Sequence, residues 1–184
     1  MRYPASETAE KHTRILEQAA RLFRVRGFSG VSVSEIMKAT GLTHGAFYNH
    51  FESKDALMVE CIAHASEQSL QHLGQAQQSP RQMLDYVQLY LSGAHRDAPG
   101  EGCVMAALAG EIAREPVVKA CFTAHFKGML TRLSAHFPWA SKRSARRDAI
   151  RMISSMVGAV ILARALDDSD LSDEILREVA AQFK

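Results

Sequence analysis

Between Phe28 and Phe51 the chain reads FSGVSVSEIMKATGLTHGAFYNHF, two short helical patterns pressed against a glycine turn. Val33, Ile36 and Met37 are the inward positions of the first. Thr40-Gly41-Leu42 is the turn, and Thr43 to Phe51 forms the second helix. There Phe47 and Phe51, four apart, face inward, which leaves Tyr48, Asn49 and His50 on the outer side. A glycine inside so short a turn between two helices is the helix-turn-helix signature. In that motif the second helix enters the major groove of DNA and its first residues meet base edges. The expectation is therefore an all-α chain that opens on a unit built to present one helix.

The residues around the turn support this locally. Ser32 with Glu35 three residues later makes a capping box, which starts the first helix of the pair. A hydroxyl and free N–H groups at a helix start also suit a phosphate oxygen, which makes Ser32 a DNA-contact candidate. Thr43 is expected to cap the second helix in the same way. Gly45 and Ala46 carry almost no side chain, so that helix can approach a groove closely, and Asn49 can reach a base or a phosphate. Upstream, a helix is expected from about Glu7 to Arg26, with Ile15, Ala19, Leu22 and Phe23 on one apolar stripe. Arg14, Arg21, Arg24 and Arg26 lie off it, and Gly27 ends it as a C′ residue does. Residues 1–6 read as a loose arm in which Arg2 and Tyr3 are further candidates for DNA.

From about Thr8 to Leu57 these residues resemble the N-terminal domain of the TetR family of transcriptional regulators. The resemblance rests on the Gly27-Phe28 turn, Val33-x-x-Ile36, Thr40-Gly41-Leu42 and the Tyr48-x-x-Phe51-x-x-Lys54 spacing. It implies a three-helix helix-turn-helix DNA-binding domain, 1–55, followed by a helical effector-binding and dimerisation domain, 56–184. It implies that Thr43, His44, Gly45 and Ala46 line the groove, and that Tyr48, His50 and Lys54 contact phosphates. Phenol, imidazole and ammonium are all donors, and phosphate oxygens accept most protein–DNA hydrogen bonds. The partners implied are a near-palindromic double-stranded operator, a second copy of the chain in a homodimer, and a small-molecule effector that releases a repressor.

Beyond Lys54 the chain reads as helices only. One runs from Ser53, its cap, to about Gln75, and Gln75 to Pro80 is the expected hinge. Further helices are expected at Pro80–His95, Cys103–Arg114, Pro116–Phe137, Ser144–Leu166 and Ser172–Phe183. The Met156–Ala163 segment is apolar nearly all round and suits either the monomer core or the dimer surface. Met83, Val87, Tyr90, Leu108, Phe122, Phe126, Met129, Met152 and Met156 are candidates to line an effector pocket, since thioethers and aromatics suit adaptable apolar binding. The same residues at helical spacing also make ordinary core. Cys103 begins a helix, where a thiol gains thiolate character, so a thiol sensor of oxidants or electrophiles is the alternative effector chemistry. Cys121 and His125, four apart, share a helix face and with Cys103 suggest a metal set; no metal and no cofactor is assigned. Cys61 reads as packing.

Composition removes other classes. The net charge of +2 gives no general basic field, and residues 1–60 hold eight Lys/Arg against seven Asp/Glu, so DNA affinity must come from placed groups. Three cysteines without CxxC spacing fit a reducing cytoplasm rather than a disulfide framework. There is no signal-like apolar region and no run long enough to span a membrane. No nucleophile elbow, phosphate loop or zinc-protease motif marks an enzyme. A helical adaptor without a DNA role would have no use for the Tyr48–Lys54 spacing.

Overall fold

The structure is a computed structural model that describes residues 5–76 and 79–183. Among those residues it contains helices and no strand, in accord with the all-α expectation. The candidate arm residues Arg2 and Tyr3 lie outside the described residues, as do Gln77 and Gln78 of the expected hinge.

The first helix, α1 (Ala5–Arg26), ends at Gly27, whose φ of +76° is the left-handed cap conformation. A Cβ at Gly27 would also collide with the Glu111 carboxylate. Next comes α2 (Val33–Ala39), started by the capping box: Glu35 N–H donates to Ser32 Oγ at 3.2 Å and Ser32 N–H donates to Glu35 Oε2 at 2.8 Å. Gly41, at φ +72°, makes the turn. The segment that follows is 3₁₀ over His44–Asn49 rather than an α-helix through Phe51, and the Thr43 side chain makes no capping bond. Without a side-chain cap, a six-residue piece containing glycine closes the tighter i→i+3 bonds: Ala46 N–H reaches Thr43 C=O and His50 N–H reaches Phe47 C=O. Burial orders the unit. Ile15, Ala19 and Phe23 of α1 are buried with Phe28, Val31, Ile36, Met37, Phe47 and Phe51.

The next helix, α3 (Lys54–Ala76), begins in this unit and ends in the other, burying Leu57, Met58, Cys61, Ile62, Ala65 and Leu73. Ser53 Oγ accepts from Ala56 N–H at its start. Pro80–Tyr90 forms α4, and the helix expected to run on to His95 stops there. Ser92 accepts from His95 N–H and starts a separate turn, α5 (Gly93–Asp97). The local cap wins over the apolar pattern because it satisfies a donor that a continuous helix would not need to free. After a 3₁₀ turn at Pro99–Glu101 come α6 (Val104–Ile112), with Cys103 at its N-cap, and α7 (Pro116–His136). Then follow α8 (Ala145–Ala165) and α9 (Ser169–Ala181). The last helix starts three residues before the expected Ser172. Asp168 is its cap, accepting from Asp170 and Leu171 N–H at 3.0 Å each. Ser172 is thereby carried inside, where its buried hydroxyl donates to Ala163 C=O at 2.8 Å.

Packing makes α3 the shared wall, against α1 on one side and α7 on the other. Two contacts meet on the backbone of Phe28, one from within its own unit and one from the other. Phe28 N–H donates to Glu111 Oε2 on α6 at 2.7 Å, and the Lys54 ammonium donates to Phe28 C=O at 2.6 Å. On α8 the apolar segment divides. Met156, Ala159, Val160 and Ala163 are buried, while Ile161 is 42 % and Leu162 57 % exposed on the opposite side.

Candidate functional site

The outer side of the 3₁₀ segment carries the candidate DNA contacts. Phe47 is fully buried beneath it and stacks on Phe51 with ring centroids 5.6 Å apart, which fixes the segment's rotation. Thr43, His44, Gly45, Tyr48 and Asn49 are therefore exposed, and Ala46 and His50 half-buried. Tyr48 is 61 % exposed and its ring meets Phe47 edge-on at 5.2 Å, so its hydroxyl points into solvent from a fixed base. Nothing lies within 4 Å of where a Gly45 Cβ would stand, so the glycine leaves space on the approach side rather than relieving a contact within the chain. His50 loses basicity through burial and the neighbouring His12 and Lys11. His12 itself stacks on Phe51 at 4.4 Å and meets Glu60 at 2.9 Å.

Two candidates are already engaged inside the chain. Ser32 Oγ donates to Glu35 Oε2 at 2.7 Å, so a phosphate at the start of α2 would have to displace a carboxylate. Lys54 spends one N–H on Phe28 C=O and lies 5.9 Å from the Phe23 ring centroid, leaving two donors for a phosphate.

Behind this unit lies a cavity of about 530 Å³ between α1, α3, α4, α5, the start of α6 with the loop before it, and α7. That size suits a small organic ligand. Of the pocket candidates, the structure places Tyr90, Cys103 and Met129 on its wall. Met83, Val87, Leu108, Met152 and Met156 are instead packed into the core, and Phe122 and Phe126 sit half-buried against it. Helical spacing identifies the inward side of each helix but not where inward sides fail to meet. The wall also holds Arg24, Gln68, Tyr86, Leu89, His95 and Met105, which the sequence reading did not single out. No sequence signal sets Arg24 apart from Arg14, Arg21 and Arg26, which lie off the same stripe and do not line the cavity.

The polar groups here are ordered. His95 Nδ1–H donates to Tyr90 C=O at 2.7 Å, and its Nε2 accepts from Cys103 N–H at 3.0 Å. Both bonds together require the neutral imidazole, and burial lowers its pKa in the same direction. Tyr90 Oη is buried beside the Cys103 thiol, and burial raises its pKa. Arg24 Nε donates to Gly100 C=O at 2.7 Å, and burial lowers the pKa of its guanidinium against the pull of Glu101.

The other cysteines do not join Cys103. Cys61 is buried in the core, and desolvation pushes its thiol far up. Cys121 and His125 border a separate groove, where His125 Nδ1 meets Ser66 Oγ at 3.0 Å. Among the described residues no three His, Cys, Asp or Glu side chains stand where one metal ion could be held.

A helix-turn-helix that exposes its second helical segment, joined to an all-helical unit, defines the class of helix-turn-helix regulators. The family model for bacterial regulatory proteins of the tetR family matches residues 15–61. Over 57 residues the chain is 46 % identical to the HTH-type transcriptional regulator YdgC of Bacillus subtilis, a match covering 31 % of this chain and 29 % of that protein. The chain spans less than a third of the length of the first curated relatives it matches. Two solved structures share the whole fold. NemR of E. coli in its reduced form has a TM-score of 0.81 at 22 % identity, covering 95 % of each chain. A TetR-family regulator of Agrobacterium tumefaciens has a TM-score of 0.81 at 23 % identity, covering 96 % of this chain and 99 % of that one. Residues 15–61 therefore carry the DNA-binding domain of the tetR family, and the chain as a whole shares the fold of these solved regulators. Among the described residues no helix is long and apolar enough to cross a membrane.

Proposed function

We propose that this chain is a DNA-binding transcriptional repressor, acting as a homodimer on a near-palindromic operator and released by a small-molecule effector. The observation that carries it is the exposed edge of the 3₁₀ segment, Thr43 to Asn49, held in one orientation by the buried Phe47. Thr43, His44, Gly45 and Ala46 face the groove, Tyr48, His50 and Lys54 the phosphates, and Asn49 either. The exposed Ile161 and Leu162 on α8 supply an apolar face for a second copy. A two-fold dimer pairs with two half-sites about 34–36 Å apart, so a change in the tilt of α3 misplaces one reader. An effector acts only through its difference in affinity between the two arrangements.

Fluorescence anisotropy on DNA from upstream of the chain's own coding region, beside scrambled DNA at the same salt, tests this reading. Specific binding that Tyr48→Ala weakens at least about tenfold, with the helical signal intact, is the expected result. Equal affinity of the two proteins for that DNA would refute the assignment of Tyr48.

Cys103 favours a second reading of the signal. It is half-buried, stands at the N-cap of α6 and borders the cavity, where a thiol is reachable by a small oxidant. Release of DNA by a mild thiol oxidant, reversed by reductant and absent in Cys103→Ser, would select it over a non-covalent effector.

A further inference from the structure

The cavity wall contains one charge without a counter-charge. Arg24 comes from α1, in the DNA-binding unit, and its single hydrogen bond goes to a neutral acceptor, Gly100 C=O. Among the described residues no carboxylate forms an ion pair with it. The acid nearest in the wall, Glu101, is paired instead with Arg21 at 3.0 Å and is mostly exposed. His95 is held neutral by its two hydrogen bonds. Arg24 therefore keeps four N–H donors in a planar fork, the geometry that takes a carboxylate through two parallel bonds. The α3 side of the wall is polar, with Gln68, Ser69, Gln71 and His72, and the facing side is apolar and aromatic. Met105 and Met129 are buried there, and Tyr86 and Tyr90 present rings. Tyr90 adds a buried hydroxyl beside the Cys103 thiol.

We infer that the effector is an apolar organic acid, an aromatic carboxylate above all, with its carboxylate on Arg24 and its ring among Tyr86, Tyr90, Met105 and Met129. This rests on the reading of the cavity as the effector site. Its consequence is mechanical: the effector's anion is held by the first helix of the DNA-binding unit itself. Occupancy acts on α1 directly, as well as through the wall of α3. A neutral or cationic ligand of the same shape would leave Arg24 uncompensated in a partly dry site.

Isothermal titration calorimetry on the full chain tests the class with matched probes: 1-naphthoate and indole-3-carboxylate, their primary amides, and 1-naphthylmethylamine. The acids are expected to bind about tenfold or more tightly than their amides, and the amine not at all. Arg24→Gln should erase the acid–amide difference, and Arg24→Lys should keep part of it. The ratio on the unaltered chain does not depend on either variant folding. Equal binding of acid and amide, preference for the amine, or no acid binding at millimolar concentration would overturn the inference. The broader reading fails separately. If Met129→Trp, which fills the cavity, and every bound probe leave DNA affinity unchanged, the cavity is not the effector site of whatever class.

Discussion

The two units use buried side chains to opposite ends. In the helix-turn-helix, burial alternates with exposure along consecutive residues: Phe47 is inside, Tyr48 and Asn49 outside, and Phe51 inside again. In the second unit, Met83, Met105, Met129, Met152 and Met156 are all buried, yet only Met105 and Met129 border empty space. A convex site made by one short segment is set by local phase. A concave site is set by where several separate elements stop touching.

Phe47→Ala should sharpen this contrast most. It removes the ring that orients the 3₁₀ segment, at a cost of about 3–5 kcal/mol, and DNA binding should fall with the denaturation midpoint. Midpoint and affinity both unchanged would mean the segment is held by something else. Next comes a pair in the second unit. Met152→Ala should cost about 2–5 kcal/mol, and Met129→Ala should sit at the low end because its site already faces space. Equal losses in urea denaturation would erase the distinction between core and cavity wall. Ser32→Ala removes one half of the capping box, worth about 1 kcal/mol.

The same box gives a pH signature. Ser32 N–H, then Ser32 Oγ and then Arg26 hold the Glu35 carboxyl down at about 2, against an ordinary 4.5. A depressed carboxyl stabilises the fold fully above its unfolded value and loses that contribution as pH falls from about 4.5 through about 2. The stability gap between the chain and Ser32→Ala should therefore narrow on acidification over that range; a gap that widens would contradict the cap. Tyr48→Ala should move stability least, within about 0.5 kcal/mol, since the side chain rests on the surface. A larger loss would turn Tyr48 into a packing residue and weaken its claim on phosphate.

What the sequence made legible follows the same division. The Ser32–Glu35 box, the left-handed Gly27 and Gly41, and the inward Phe47 and Phe51 depend on neighbours within four residues, and all appear as read. The break at Leu91-Ser92 and the early start of α9 did not, because apolar spacing continued through the former and an acidic run disguised Asp168 as loop. Arg24 escaped because an arginine off an apolar stripe looks like any solvated charge. Only the approach of the 99–101 turn, some 76 residues on in sequence, makes it a cavity residue. The question left open for Met156–Ala163 has a split answer in the single chain: one side is core, and the other is uncovered.

Phe28 is gripped by its backbone, its N–H by Glu111 and its C=O by Lys54. Neither grip reads the side chain. A mutational library at position 28 would thus score it as a plain hydrophobic site, tolerant of any ring or branched chain that fills the hole. The joint would stay hidden unless the main chain were altered, by proline, which lacks the N–H, or by an amide-to-ester exchange. Such a joint resists drift: lineages descending from this chain can exchange the side chain at position 28 for any that fills the hole, and the link persists while position 111 offers an acceptor and position 54 a donor.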